Sequence, residues 1–431
     1  MHQKTYLPYK KIAILDHMGF GNLGDAAIQD VVLENIKKRL PDTEIIGFSY
    51  IPDDTTKRHK IETYPILAGI ITSTESDNND ETDQPTTLKS KIKDYLISYP
   101  FLFNFAKFIS GLISGLQHSV RSYKILKSVD LLIISGGGQL GDSYHSMPIR
   151  VFKFCLLAKL ARKKLIILNV GAGPLDHFWT KKSAVWSTRL ADYISVRDNE
   201  SQLLLQNLGA TSNIHVYPDT AYAYDIERFN TYRNSDIRNS LVGFNPSGFC
   251  DPRIWPRKDE SVYQTYLDKI TSFVFWLIRE HYYVELFTSD IGVDKFVFED
   301  LRSKLAPELP EEKLQKIFPP VSKTTDEIIR QISKFDYVIT TKFHGIIFSH
   351  LLHKPVIALS WHNKNYDLMK AVGHEQYCSD IEHFVVESLQ EDFLSLIKNT
   401  DDLKAKFKNK VDAYAQSLNS QFDYLFAGNP E

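Results

Sequence analysis

The feature that most constrains this chain is a recurring unit: a short aliphatic or β-branched run, then Gly, Ser or Asp, then apolar positions at helical spacing. Such runs stand at Ile12–Leu15, Glu44–Phe48, Leu131–Ile134, Leu165–Val170, Tyr193–Val196 and Ile214–Tyr217. Each carries too few polar residues to have a wet face, so they read as parallel strands covered by crossover helices. The expected class is α/β. After Asp219 the segment AYAYDIERFNTYRNSDIRNS has few strand or core signals, and the pattern restarts at Leu241–Asn245. Further strands are expected at Tyr283–Thr288, Tyr337–Thr340 and Val356–Leu359, with helices at Ser261–Glu280, after a cap at Thr325–Asp326, and at Gly345–Leu352. The reading is two doubly wound, Rossmann-like domains facing across a cleft, 1–235 and 236–431, the second with a helical C-terminal tail. Ligands of such sheets sit at the carboxyl ends of the strands.

Length and charge narrow the function. A chain of 431 residues can bury two cores. Its 51 Lys and Arg nearly balance 53 Asp and Glu, so there is no broad basic face for a nucleic acid, and an anionic substrate must meet a local cluster. Cys155, Cys250 and Cys378 match neither a disulfide framework nor a zinc spacing, and no metal site is expected. The opening MHQKTYLPYKKIAIL lacks the apolar core and cleavage site of a leader, which points to a cytoplasmic protein. The acidic stretch Thr72–Thr87 reads as a surface loop. Residues 95–120 are strongly apolar but broken by Pro100, Asn104, Lys107 and two glycines, a poor spanning helix. Two readings stay open there: a helix pair buried on its own domain, or an interfacial helix touching the inner face of a membrane.

The loops after the strands carry the chemistry. Gly19, Gly21 and Gly24 punctuate the first, and Asp25 is placed to cap the helix that follows. Gly136, Gly137 and Gly138 end the strand at Leu131, and Gly171 and Gly173 end the strand at Leu165; glycines let a ligand approach the backbone. Arg197 ends the next strand, where a guanidinium suits carboxylate or phosphate, unless it pairs with Asp198. In the second half Lys342 and His344 follow one strand and Lys364 follows the next, so the three converge as a pocket for a small polyanion. His344 is expected in the loop before its helix, its pKa lowered until an anion arrives. Asp25, Asp142 and Asp219 are candidate bases. Tyr144, Trp179, Trp186 and Trp255 are candidates to stack on a sugar.

Taken in order, Asn22-Leu23-Gly24-Asp25, Ser135 to Gly138, Gly171 to Pro174, Val196-Arg197-Asp198 with Ser201, Pro218-Asp219, Lys342 to Gly345 and Trp361 to Lys364 with Gly373 resemble the polysaccharide pyruvyl transferase family. The resemblance implies the fold of B-type glycosyltransferases and transfer of pyruvyl from phosphoenolpyruvate to a sugar as a ketal. The acceptor would be a surface polysaccharide or its lipid-linked, polyprenyl-borne precursor. It implies that Arg197, His344 and Lys364 hold or protonate phosphoenolpyruvate. The residues themselves add Lys342, Gly137, Gly138, Gly171 and Gly173 on the donor side, His344 as general acid, Asp25 and Asp219 as catalytic carboxylates, and no cofactor beyond the donor. One departure is Lys342, where the family commonly carries arginine; lysine keeps the charge and loses the fork. Two rivals keep the fold: a glycosyltransferase using a nucleotide sugar, and an inactive saccharide-binding relative.

Overall fold

The computed structural model describes residues 9–16, 21–68, 100–142, 146–210, 213–229 and 240–426, with the side chains of 100–110 excepted. The expected loop Thr72–Thr87, Gly19, Tyr144 and residues 95–99 lie outside them. Twelve strands occur with helices between them among the described residues, and those other than His215–Val216 pair in parallel.

The first sheet holds β1 (Lys11–Leu15), β2 (Glu44–Ser49), β3 (Glu62–Pro65), β4 (Leu131–Ser135), β5 (Lys164–Val170), β6 (Tyr193–Val196) and β7 (His215–Val216), in the order β3-β2-β1-β4-β5-β6-β7. Registers such as Ile12 beside Leu131 and Leu132 beside Leu165 put aliphatic residues next to one another in strands buried on both faces. The second sheet holds β8 (Leu241–Asn245), β9 (Tyr283–Leu286), β10 (Tyr337–Thr340), β11 (Val356–Ser360) and β12 (Cys378–Asp380), ordered β12-β11-β10-β8-β9. Strand order reverses at β1/β4 in one sheet and at β8/β10 in the other, which marks the loops where a doubly wound sheet takes its ligand.

Several local expectations shift. Short edge strands β3 (ETYP) and β12 (CSD) were not anticipated, since neither has alternation or a β-branched run. Asn22, not Asp25, caps the helix Leu23–Arg39, accepting from the N–H groups of Gly24 (2.9 Å) and Asp25 (3.2 Å). Thr324 caps the helix Thr325–Ser333, while Asp326 accepts from the hydroxyl of Tyr224 and the guanidinium of Arg228. The helix expected at Gly345 begins at Phe343, so His344 belongs to its first turn rather than to the loop.

The chain's contacts divide it into two units, and the division is not sequential. Residues 42–215 pack around β1 as one; residues 20–41 leave β1 and pack with everything from 216 onward as the other. The helix Leu23–Arg39 therefore sits in the C-terminal unit, buried nearly all round, with Asp25 and Gln29 inside. Its last turn is fastened there by Arg39, which donates to Asp423 (2.8 Å) and to the carbonyl (2.9 Å) and side chain (2.8 Å) of Asn419, and lies over the Phe422 ring.

That unit also buries two histidines against Phe407. Burial, with His374 adding repulsion, lowers His350 to about 3; burial, with Lys406 adding to it, lowers His374 to about 4. In the unfolded chain both take protons below about pH 6.5. The stability they protect is thus complete above pH 6.5 and is lost as the pH falls toward 4 and 3. From pH 7 to 5.5 the unit should lose up to about 2.5 kcal/mol, read as a falling urea midpoint. A midpoint that His350→Phe/His374→Phe leaves equally acid-sensitive would refute this cause.

All three cysteines are free. Among the described residues no helix is long and apolar enough to cross a membrane.

Candidate functional site

In the N-terminal unit the loops after β4 and β5 are laced together. Gly171 N–H donates to the Gly137 carbonyl (2.7 Å), Leu140 N–H to Gly171 (3.2 Å), Gly173 N–H to Leu140 (2.8 Å) and Asp142 N–H to Pro174 (2.8 Å). The turn needs glycine at Gly136 and Gly137, whose φ of 54° and 59° is left-handed. At Gly138 the space where a side chain would stand is open. Asp142 clasps the next loop, accepting from the N–H groups of Asp176 (2.6 Å) and His177 (3.2 Å). Partial burial opposes its charge, but these donors and Thr180 outweigh it and hold the carboxyl below the usual range. A carboxylate so engaged is a poor proton acceptor.

Arg197 leaves β6 with its N–H on the Val170 carbonyl (3.2 Å), and its guanidinium lies against Gly171. A Cβ on Gly171 would stand 2.9 Å from Nε and 3.0 Å from Nη2. The Asp198 carboxylate is 3.8 Å away and caps the helix Asn199–Asn207 through Ser201 N–H (2.6 Å), so the expected Arg197–Asp198 pair is a loose one. Gly137, Gly138, Gly171, Gly173 and Arg197 therefore form one constellation at one sheet edge.

The C-terminal unit collects Asp25, Asp219, Lys342, His344 and Lys364. Residues Gly21–Leu23 run beside the loop after β9: Leu23 N–H donates to Ser289 (2.7 Å), Ile291 N–H to Gly21 (3.2 Å), and Asn22 bridges Asp290. This seam delivers Gly24 to the imidazole of His344, where a Cβ would overlap Nδ1 and Cγ. His344 is 8% exposed. Asp25, the next residue, is buried in the first turn of its helix. Asp219 caps the turn Thr220–Ala223 through Ala221 N–H (3.0 Å).

The segment before His344 is pinned to β8. Thr341 N–H donates to the Asn245 carbonyl (3.0 Å), Thr340 Oγ1 to Asn245 Oδ1 (3.1 Å), and Lys342 N–H to Thr340 Oγ1 (3.1 Å). Lys342 is paired with two carboxylates. Its ammonium is 2.7 Å from Asp294 and 3.8 Å from Asp290, with a side chain 16% exposed. Burial opposes the lysine's charge, yet Asp294 and Asp290 outweigh it and its pKa rises; burial likewise raises the Asp294 carboxyl, which Lys342 draws back only in part. Lys364 lies in the first turn of the helix Asn363–Ala371, after the strand adjacent to β10.

Asn245, Asp290 and Asp294 belong to this arrangement and were not expected from sequence. Asn245 closes a strand that otherwise reads as core, and Asp294 is an ordinary acid inside IGVDKFVF. The one available signal was topological: β8 and β10 flank the reversal of strand order, so their loops had to be read together.

Comparison with known proteins adds the following. A family model described as polysaccharide pyruvyl transferase matches residues 22–363. Amylovoran biosynthesis protein AmsJ of Erwinia amylovora is 19% identical over 417 residues, covering 93% of this chain and 95% of that protein. Among solved structures, UDP-GlcNAc 2-epimerase from Methanocaldococcus jannaschii is 10% identical with a TM-score of 0.56, covering 89% of this chain and 92% of that one. MnaA of S. aureus, solved with UDP, is 12% identical with a TM-score of 0.55, covering 96% and 94%. At such identities the structures show the fold alone, that of the B-type glycosyltransferases.

Proposed function

Because the chain belongs to the polysaccharide pyruvyl transferase family, we propose that it moves the pyruvyl group of phosphoenolpyruvate onto two hydroxyls of a saccharide, closing a cyclic ketal and releasing phosphate. The acceptor in this reading is a surface polysaccharide or its polyprenyl-linked precursor, handled at the cytoplasmic side of the membrane. The observation that carries the reading is His344, an imidazole packed on Gly24 at a helix N-terminus.

His344, protonated once the anionic donor is bound, gives its proton to the methylene carbon of phosphoenolpyruvate, and C2 becomes oxocarbenium-like. One hydroxyl adds to C2, the C2–O bond to phosphate breaks, and the second hydroxyl adds. The diol gives up two protons: one replaces that spent on the methylene carbon, the other leaves with phosphate. Asp25, next in sequence to the residue under the imidazole, is the favoured base candidate, with Asp219, which caps the turn Thr220–Ala223, as the alternative. Arg197 and Lys364 supply positive charge for the donor's phosphate and carboxylate, with Gly137, Gly138, Gly171 and Gly173 admitting it to the backbone. Lys342, matched by two carboxylates, braces the loop that presents His344. The reading uses no metal or cofactor.

Binding to the native state raises the melting temperature. Phosphoenolpyruvate should raise it in the native chain and not in Arg197→Ala, while His344→Ala should still bind the donor yet release no phosphate from it with acceptor present. A shift with UDP-sugars alone would replace this reading with that of a nucleotide-sugar glycosyltransferase.

A further inference from the structure

The helix Pro100–Lys127 is not used by the proposed chemistry, and its exposed side has a composition that needs explaining. Its 28 residues contain no Asp or Glu. Where its side chains are described, Leu112, Ile113, Leu116 and Val120 are 55%, 53%, 67% and 46% exposed. At 100° per residue the four share about one third of the circumference. Lys124 and Lys127 continue the stripe or its margin into the last turns, and Arg121 is exposed beside them. On the neighbouring helix Met147–Leu160, Leu156 and Leu160 are also exposed. Isolated exposed leucines are ordinary; a contiguous set rimmed by one sign of charge marks a contact surface.

The opposite side shows that the helix is firmly held. Ser122 and Leu126 are buried, as is Val129 just past the helix end, and His118 is clamped between its neighbours. The arrangement that satisfies both its nitrogens has Nε2–H donating to the Pro65 carbonyl (2.9 Å) and Nδ1 accepting from Lys153 Nζ (2.9 Å). Burial, aided by Lys153, lowers its pKa and keeps that neutral form. The helix is thus seated from His118 onward, while at 111–117 it stands out, with Gly111, Ser114 and Gln117 exposed as well as the stripe.

We propose that this face docks the protein on an anionic lipid surface, the stripe Leu112, Ile113, Leu116 and Val120 entering the acyl boundary while Arg121, Lys124 and Lys127 meet lipid phosphates. Charge selects the partner: an acid-free helix suits a negative surface, and leucines with basic flanks are the pattern of an interfacial helix. The inference goes beyond the chemistry proposed above and is tested without any substrate.

The test is co-flotation of the full chain with vesicles of phosphatidylcholine alone or with about one-third phosphatidylglycerol, at about 0.1 M and about 0.5 M salt. The expected result is binding to the anionic vesicles, weakened severalfold by salt and by Lys124→Glu/Lys127→Glu. Leu112→Glu/Leu116→Glu should reduce it about tenfold or more with the melting temperature unchanged. Absence of binding, or binding indifferent to these substitutions, overturns the proposal. So does a native dimer that Leu112→Glu/Leu116→Glu makes monomeric, since a second copy would then cover the face. A lower melting temperature in Leu112→Ser/Leu116→Ser overturns it too, because the chain itself would be the cover.

Discussion

Gly24→Ala should abolish most turnover while leaving the protein folded. The methyl group would occupy the place of the His344 imidazole, so the ring must rotate away. Overpacking typically costs about 1–3 kcal/mol. Alanine returns up to about 1 kcal/mol in a helix, so the net loss of stability is small. Catalysis is less forgiving, because a displacement of about 1 Å in a proton donor costs on the order of 100-fold. Phosphate release at saturating phosphoenolpyruvate is therefore expected to fall about 100-fold, with the circular dichroism of the native chain retained. Coupling gives the sharper readout. Gly24→Ala/His344→Ala should recover the melting temperature lost to the clash and lose no activity beyond that of His344→Ala alone. Additive losses would separate Gly24 from His344 and remove the basis for linking the two motifs.

Lys342→Met is expected to cost about 3–5 kcal/mol near neutral pH, because it leaves the Asp294 carboxylate, wholly buried, without its ion-pair partner. Its pH dependence identifies the cause. Asp294 already has a raised pKa with the lysine present, and loss of the lysine pushes it higher. Between the unfolded carboxyl value of about 3.9 and that raised value the folded state holds the extra proton, so unfolding free energy falls as pH rises. The variant should be worst above neutrality and improve on acidification, opposite in sign to the buried histidines. Urea unfolding at about pH 8 and about pH 5.5 distinguishes this from simple loss of packing, and Lys342→Met/Asp294→Asn should regain most of the loss. An equal deficit at both pH values would mean that the lysine's stem, rather than its charge, matters there.

The strands were legible because burial on both faces writes itself as uninterrupted apolar runs: Tyr193–Val196, Leu241–Asn245 and Tyr337–Thr340 have the bounds that the sequence suggests. Edge strands β3 and β12 have no such signal, since one flank lacks a neighbour and short polar residues suffice. Site residues at strand ends, Arg197 and His344 among them, were visible as chemistry interrupting core. Their supports were not. Asn245, Asp290 and Asp294 act through partners far away in sequence, and no local pattern separates a bracing aspartate from a solvated one. Hardest to see was the allegiance of Leu23–Arg39. Covalent continuity from β1 assigns it to the first sheet, and only the burial of its first turns all round, including Asp25 and Gln29, together with its contacts, reveals a helix packed in the other unit.

That crossing of residues 20–41 has a consequence for biosynthesis. Contacts such as Arg39 with Asp423 span 384 positions. The helix therefore leaves the ribosome long before its partners exist, and it waits through the synthesis of the entire first sheet. Closure of so long a loop is slow, and a chain in that state exposes the helix's aliphatic residues, which invites chaperone capture or aggregation. The bed of the His344 imidazole is consequently among the last parts of the molecule to form. Truncation from the C-terminus should leave the first sheet able to fold, yet strand the helix that follows its first strand.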